Sequence, residues 1–126
     1  MGNTKLLYTQ EHEWIQIEND VATVGITKYA VDELGEIVFV ELPELNSNTN
    51  QQEEFGTVES VKTVSSLYAP VTGEIIGVNS SLDDQPNLIN DDPSNEGWII
   101  KIKLSDVSEL DDLMTQEEYD NFIETL

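Results

Sequence analysis

The apolar positions of this chain fall mostly into short runs rich in β-branched residues and broken by Asn, Asp, Gly and Pro, which predicts a mostly β fold. Glu13 to Ile17 and Val21 to Ile26 read as strands around a tight turn at Asn19-Asp20. Thr27 is placed to cap a short helix, Lys28 to Leu34, that Gly35 closes. Glu36 to Leu42 follows as a strand ended by Pro43, and polar Glu44 to Glu54 reads as a solvated loop. Gly97 to Leu104 is the last expected strand. Asp106 to Leu113 and Gln116 to Leu126 read as helices, the second opened by a capping box of Thr115 and Glu118. Tyr119, Phe122, Ile123 and Leu126 share one face of that helix at i, i+3, i+4 and i+7, a spacing suited to core packing. Trp14 and Trp98 are likewise read as packing residues.

Between these elements lies Phe55 to Gly73, in which Phe55, Val58, Val61, Val64 and Leu67 recur every third residue, as on a helix. Composition overrides that spacing, because Thr57, Val58, Val61, Thr63 and Val64 are β-branched and Ser65 and Ser66 are weak helix formers. A reversal near Val61-Lys62 yields two strands with Lys62 at the tip of a hairpin. A type I or bulged turn is expected there, since a turn with both central residues at positive φ would strain Val61. A weak repeat, Gly35-Glu36-Ile37-Val38-Phe39-Val40 against Gly73-Glu74-Ile75-Ile76-Gly77-Val78, suggests two related halves.

Charge sharpens the reading of Lys62. Five basic residues stand against 26 acidic ones in 126 residues, a formal net charge of −21, and there is no cysteine. Phosphate-backbone binding and attraction to anionic membranes are disfavoured, and partners are expected to present basic patches. Disulfides and thiolate metal sites are excluded. In so acidic a chain, with Glu59 three residues away, the lysine should stay an ammonium, which is the wrong state for Schiff-base catalysis. An exposed attachment point for an acyl group suits the position better.

Other candidates carry less. His12 is the single histidine and no nucleophile-elbow pattern surrounds any serine, so a catalytic triad is not expected. Asn79 to Glu96 holds Asp83, Asp84, Asp91 and Asp92, but the spacing does not match a calcium-binding loop, and a solvated loop is expected instead. The opening MGNTKLLYTQ has the character of neither a signal nor a transit peptide, and Leu6 stands where a myristoylation motif needs Ser or Thr. No apolar run reaches membrane-spanning length. A bacterial cytoplasmic location is the simplest expectation.

The run Glu59-Ser60-Val61-Lys62-Thr63-Val64, followed by Tyr68-Ala69-Pro70-Val71-Thr72-Gly73-Glu74-Ile75, resembles the lipoyl-attachment segment of the glycine cleavage system H-protein family. The resemblance extends through Glu11-His12-Glu13-Trp14, Val24-Gly25-Ile26-Thr27, Leu34 to Pro43 and Gly97 to Ile102, and so covers roughly Leu6 to Leu126. Val61 and Thr63 stand where a biotinyl domain would be expected to carry methionines, which disfavours biotin. The implied fold is a barrel-sandwich hybrid, a flattened β-sandwich with a short internal helix and C-terminal helices. It implies one lipoyl-carrier domain over residues 1–126, with the lysine hairpin at about 55–69 and the C-terminal helices at about 106–126.

The implied cofactor is lipoate in amide linkage to Lys62, with Glu59 recognised by the lipoylating enzyme. His12, Glu13 and Ser66 fall in the region where the family's loaded arm docks, Glu13 offering a carboxylate to its ammonium. Relatives commonly carry Asp or Glu where this chain has Ser66. The implied activity is that of a monomeric, non-catalytic carrier that shuttles the aminomethyl group of glycine. Its implied partners are glycine decarboxylase, aminomethyltransferase, dihydrolipoyl dehydrogenase, and a lipoate ligase or lipoyl/octanoyl transferase. The nearest alternative is a lipoyl donor for 2-oxo acid dehydrogenases or another lipoate-dependent pathway. An alternative of another class is an acidic nucleic-acid mimic, which accounts for the charge but not for the lysine hairpin.

Overall fold

Glu13, Ile15 and Ile17 alternate with Trp14, Gln16 and Glu18 along one strand, and that alternation sets the architecture: one face turns to the core, the other away from it. The computed structural model describes residues 5–126. Strands β1 (Lys5–Tyr8), β2 (Glu13–Glu18) and β3 (Val21–Ile26) form an antiparallel meander. Asn19 reverses the chain between β2 and β3 at φ 58°, a left-handed conformation that asparagine tolerates. The meander continues through β9 (Ile100–Leu104) and β8 (Gly73–Val78) to the two-residue β5 (Asn48–Thr49), making a six-stranded sheet. A second, three-stranded sheet has the order β4 (Ile37–Glu41), β6 (Glu54–Ser60), β7 (Val64–Tyr68). The two antiparallel sheets do not close into a barrel. They share one apolar core, in which Ile15, Val24, Ile75, Ile100 and Ile102 of the larger sheet and Val40 and Val58 of the smaller one are buried.

Helix α1 (Lys28–Leu34) has the bounds its caps dictate: the Thr27 side chain accepts from Ala30 N and the Gly35 N–H donates to Val31 O. Helix α4 (Gln116–Glu124) starts with the expected capping box. Tyr119 on α4 stacks on Tyr8 at a ring separation of 4.7 Å, and its hydroxyl meets Thr27 Oγ1 at 2.7 Å and His12 Nδ1 at 2.9 Å. The C-terminal helix is thereby locked to the N-cap of α1 and to the outer face of β1 and β2. Trp14 is buried in this second cluster and donates from Nε1 to Pro93 O at 2.8 Å. Gly25 is required under it, because a Cβ there would lie 2.5 Å from the indole.

Several elements differ from the sequence expectation. Asn79 to Glu96 is not a solvated loop: it folds as α2 (Ser81–Asp84) and α3 (Leu88–Asp91), with Leu82 and Ile89 fully buried in the core. Among the described residues no three acidic or histidine side chains come together as a group that could hold a metal ion. The Glu44–Glu54 stretch contains β5, and the segment after Asp106 is a 3-10 helix, Val107–Asp112, rather than an α-helix. Leu126 lies beyond the end of α4 and is exposed, so it does not extend the packing stripe of Tyr119, Phe122 and Ile123. The two copies of the weak repeat fall one in each sheet, as β4 and β8.

Candidate functional site

The lysine hairpin is built by the pairing of β6 with β7. Glu59 faces Val64 as the last pair of the ladder, leaving Ser60-Val61-Lys62-Thr63 to turn the chain. Ser60 organises the turn. Its N–H donates to Thr63 O at 2.8 Å, and its Oγ accepts from the N–H groups of Lys62 and Thr63 at 3.1 and 3.2 Å. Neither Val61 nor Lys62 has positive φ, in keeping with the turn expected for a β-branched residue. Val61 N–H donates to Glu36 O at 3.0 Å, tying the tip to the entrance of β4. Lys62 is exposed, and among the described residues the salt bridge present is Lys28–Asp32, so the Lys62 ammonium is held by no carboxylate.

The stem of Lys62 lies over Gly35. A Cβ on that glycine would stand 3.1 Å from Lys62 Cε and 3.7 Å from Nζ, and Gly35 itself holds φ 82°. The floor beneath the lysine is fixed by Asn90 of α3, whose Oδ1 accepts from Ile37 N at 2.9 Å and whose Nδ2 donates to Gly35 O at 2.8 Å. Sequence reasoning missed Asn90. Its only signal was its position next to Ile89 in a stretch whose apolar residues Leu82 and Ile89 are seven apart.

Glu59, His12, Glu13 and Ser66 are not brought together. Glu59 is exposed on the outer face of the smaller sheet, between Phe39 and Val64. Ser66 is on the same face two rungs further from the tip, opposite Thr57. His12, at φ 65°, packs instead among Tyr29, Tyr119 and Phe122, and burial pushes its pKa down against the raising effect of Glu11 and Glu33.

Glu13 departs furthest from expectation. It is 2% exposed, and its Oε2 accepts from Tyr68 N at 2.9 Å while Thr9 Oγ1 donates to Oε1 at 3.3 Å. The carboxyl therefore bridges the β1–β2 turn and the far end of β7, one strand from each sheet. Burial pushes its pKa up to about 8; the two hydrogen bonds oppose that shift and Glu11 adds to it. Glu13 is therefore a buried tie between the two sheets, in which burial favours the neutral form of the carboxyl. Glu13 shares the core face of β2 with Ile15 and Ile17.

A cleft of about 550 Å³ opens between α4 and the outer face of β1 and β2, lined by Leu6, Tyr8, Trp14, Tyr29, Tyr119 and Ile123 among others. No residue of the lysine hairpin lines it. The hairpin thus presents one exposed amine, in no ion pair among the described residues, on a turn pinned by Ser60 and by Glu36 O.

Comparison with known proteins covers nearly the whole described chain. The model of the glycine cleavage H-protein family matches residues 6–126. The glycine cleavage system H protein of Staphylococcus epidermidis is 53% identical over 116 residues, 92% of each chain. That of Staphylococcus carnosus is 50% identical over 119 residues, 94% of each. The crystal structure of a glycine cleavage system H protein from Mycobacterium marinum superposes with a TM-score of 0.88 at 40% identity, covering 95% of this chain and 97% of that one. The chain belongs to the glycine cleavage H-protein family.

Proposed function

We propose that the chain is the lipoyl carrier of the glycine cleavage system, a single non-catalytic domain that is acylated on Lys62. The observation that supports this most is the Lys62 amine itself: exposed, free of ion pairs among the described residues, and presented on a turn pinned by Ser60 and Glu36. The residues present fit a long acyl arm. Gly35 leaves room where a Cβ would crowd the lysine stem that carries the arm. When bound, lipoate supplies a dithiolane able to carry an aminomethyl group; the hard chemistry belongs to it and to the partner enzymes.

The chain's own residues attach, hold and present. Deprotonated Lys62 Nζ attacks the acyl carbon of an activated lipoyl donor. The C–N bond forms as the bond from acyl carbon to leaving group breaks, the leaving group departs with the electron pair, and the amine's proton passes to solvent. Asn90 and Ser60 keep the tip in place, so that the flexibility of the loaded lysine resides in the arm rather than in the hairpin. Glu13 ties the base of β7 to the β1–β2 turn. Docking of the loaded arm near His12, Glu13 and Ser66 is part of this reading, with Ser66 the one of the three that faces outward beside the hairpin.

The negative field of the chain steers it to basic surfaces on glycine decarboxylase, aminomethyltransferase and dihydrolipoyl dehydrogenase, and tethering raises the arm's local concentration at each. No described helix is long and apolar enough to cross a membrane; the location that belongs to this reading is the bacterial cytoplasm. The test is reconstitution of glycine–carbon dioxide exchange with purified glycine decarboxylase. The lipoylated chain should support exchange, and the same chain as Lys62→Arg should not, since guanidinium offers no acylatable amine. Exchange by the arginine variant, or support of 2-oxo acid dehydrogenation instead, would redirect the assignment.

A further inference from the structure

The outer face of the three-stranded sheet is uncovered, and its rung nearest Lys62 is apolar at both ends. Phe39 of β4 pairs with Glu59 of β6, which pairs with Val64 of β7. Phe39 is 53% exposed and Val64 62%, with Val61 of the turn at 64% beside them. The register of β4 slips between Ile37 and Phe39, and the irregularity leaves Val38 as well as Phe39 in solvent. Scattered exposed apolar residues need no explanation, but here they cluster around one modifiable amine on a chain of charge −21.

We propose that Phe39 and Val64, with Glu59 between them, form the docking face for the enzyme that acylates Lys62. This rests on the assignment of Lys62 as the acyl acceptor. Reach selects the occupant. An unmodified lysine ends one four-carbon stem from the backbone, so its acylating enzyme must bring its own surface against the turn and the rung behind it. Enzymes that act on the loaded chain meet the distal end of a long arm and can stand further off. Charge specifies the partner surface: an apolar patch with a basic group at its centre, because Glu59 would otherwise be desolvated without a counter-charge. Aromatic anchors at the centre of an interface carry a large share of its affinity, which singles out Phe39.

The experiment uses the full-length unmodified chain, purified from lipoate-starved cells, as acceptor for a purified lipoate ligase, with product followed by intact mass. Phe39→Ser and Val64→Ser should each raise the acceptor concentration at half-maximal rate by about tenfold, with the maximal rate retained. Val107→Ser, an equally exposed apolar position on the 3-10 helix, should behave as wild type. Far-ultraviolet dichroism confirms that each variant is folded; if Phe39→Ser is not, Val64→Ser and Glu59→Gln carry the test. Unchanged half-saturation, or a fall in maximal rate alone, overturns the dock while leaving Lys62 as acceptor. Normal acylation with weakened binding to glycine decarboxylase gives the face to that enzyme and also overturns it. Failure of the wild-type chain to accept the acyl group removes the Lys62 assignment itself.

Discussion

The two sheets of this protein end differently on their outer sides. The six-stranded sheet carries Trp14 on the face away from the core and covers it: α4 brings Tyr119 onto Tyr8, and Pro93 accepts from the indole. The three-stranded sheet carries Phe39 and Val64 on its outer face and leaves them bare. Both sheets place aromatic residues outside the core, but only one supplies a lid for them. The covered side contributes stability, since burying an aromatic side chain is worth several kcal/mol. The bare side gives up that burial beside the one exposed, unpaired amine of the hairpin. The difference between the two faces lies beside Lys62, where the proposed dock is assigned, and not at every exposed apolar residue, since Val107 and Leu126 are as exposed.

Removing the lid is expected to have the largest effect. Trp14→Ala should destabilise the fold by about 3–5 kcal/mol, read as a lower urea midpoint, because the indole fills the space between Gly25 and the residues that α4 brings down. The folded fraction of that variant should still accept an acyl group at Lys62. Loss of acylation in folded Trp14→Ala would show that the two sides are not independent.

The tie between the sheets comes next. Glu13 has its folded pKa raised from the ordinary carboxyl value of 4.5 to about 8, so the folded state binds the proton more tightly than the unfolded chain. Its stabilisation is fully present below pH 4.5 and is lost progressively as pH rises through about 8. Glu13→Gln, uncharged at every pH, should remove that decline. Between pH 5 and pH 9 the difference in unfolding free energy between wild type and variant should change by a few kcal/mol, in favour of glutamine at the alkaline end. His12 works in the opposite direction: burial depresses its folded pKa, and its share of stability fades as pH falls through the range below its ordinary value. A parallel pH profile for wild type and Glu13→Gln would contradict the buried tie.

Smaller effects sharpen the bare side. Gly35→Ala should cost about 1–2 kcal/mol, because it forces a side chain into left-handed backbone geometry, and it should also slow acylation by crowding the Lys62 stem. Thermal unfolding and intact-mass kinetics read the two consequences separately. Phe39→Ser is expected to leave stability within about 0.5 kcal/mol, as befits an exposed position with no core contact. A loss as large as that of Trp14→Ala would mean that Phe39 is structural and that the contrast between the two faces is false.

Legibility in the sequence followed local chemistry. The bounds of α1 were readable because Thr27 and Gly35 cap it, and the hairpin was readable because β-branched residues outvoted a misleading period of three. The two-residue β5 left no pattern to read, since two paired residues cannot display an alternation. The segment from Asn79 to Glu96 looked solvated because its composition is acidic, yet its fate was decided by Leu82 and Ile89, two apolar residues that only tertiary contact makes visible. The site divided in the same way. Lys62 could be found from chemistry and position alone, whereas Asn90 acts on Gly35 from 55 residues away through backbone groups that no motif announces. Glu13 was visible as a matching position but not as a buried one, because a carboxyl on a core face contradicts the usual sorting of charge.

The central claim is that one lysine, and one alone, is the acceptor. The chain purified from lipoate-fed cells, digested and mapped by tandem mass spectrometry, tests it directly. The acyl group should be confined to the peptide containing Lys62 and absent from the whole Lys62→Arg chain, although Lys5, Lys28, Lys101 and Lys103 are also exposed. Acylation at any of those lysines, or residual acylation of Lys62→Arg, would contradict it.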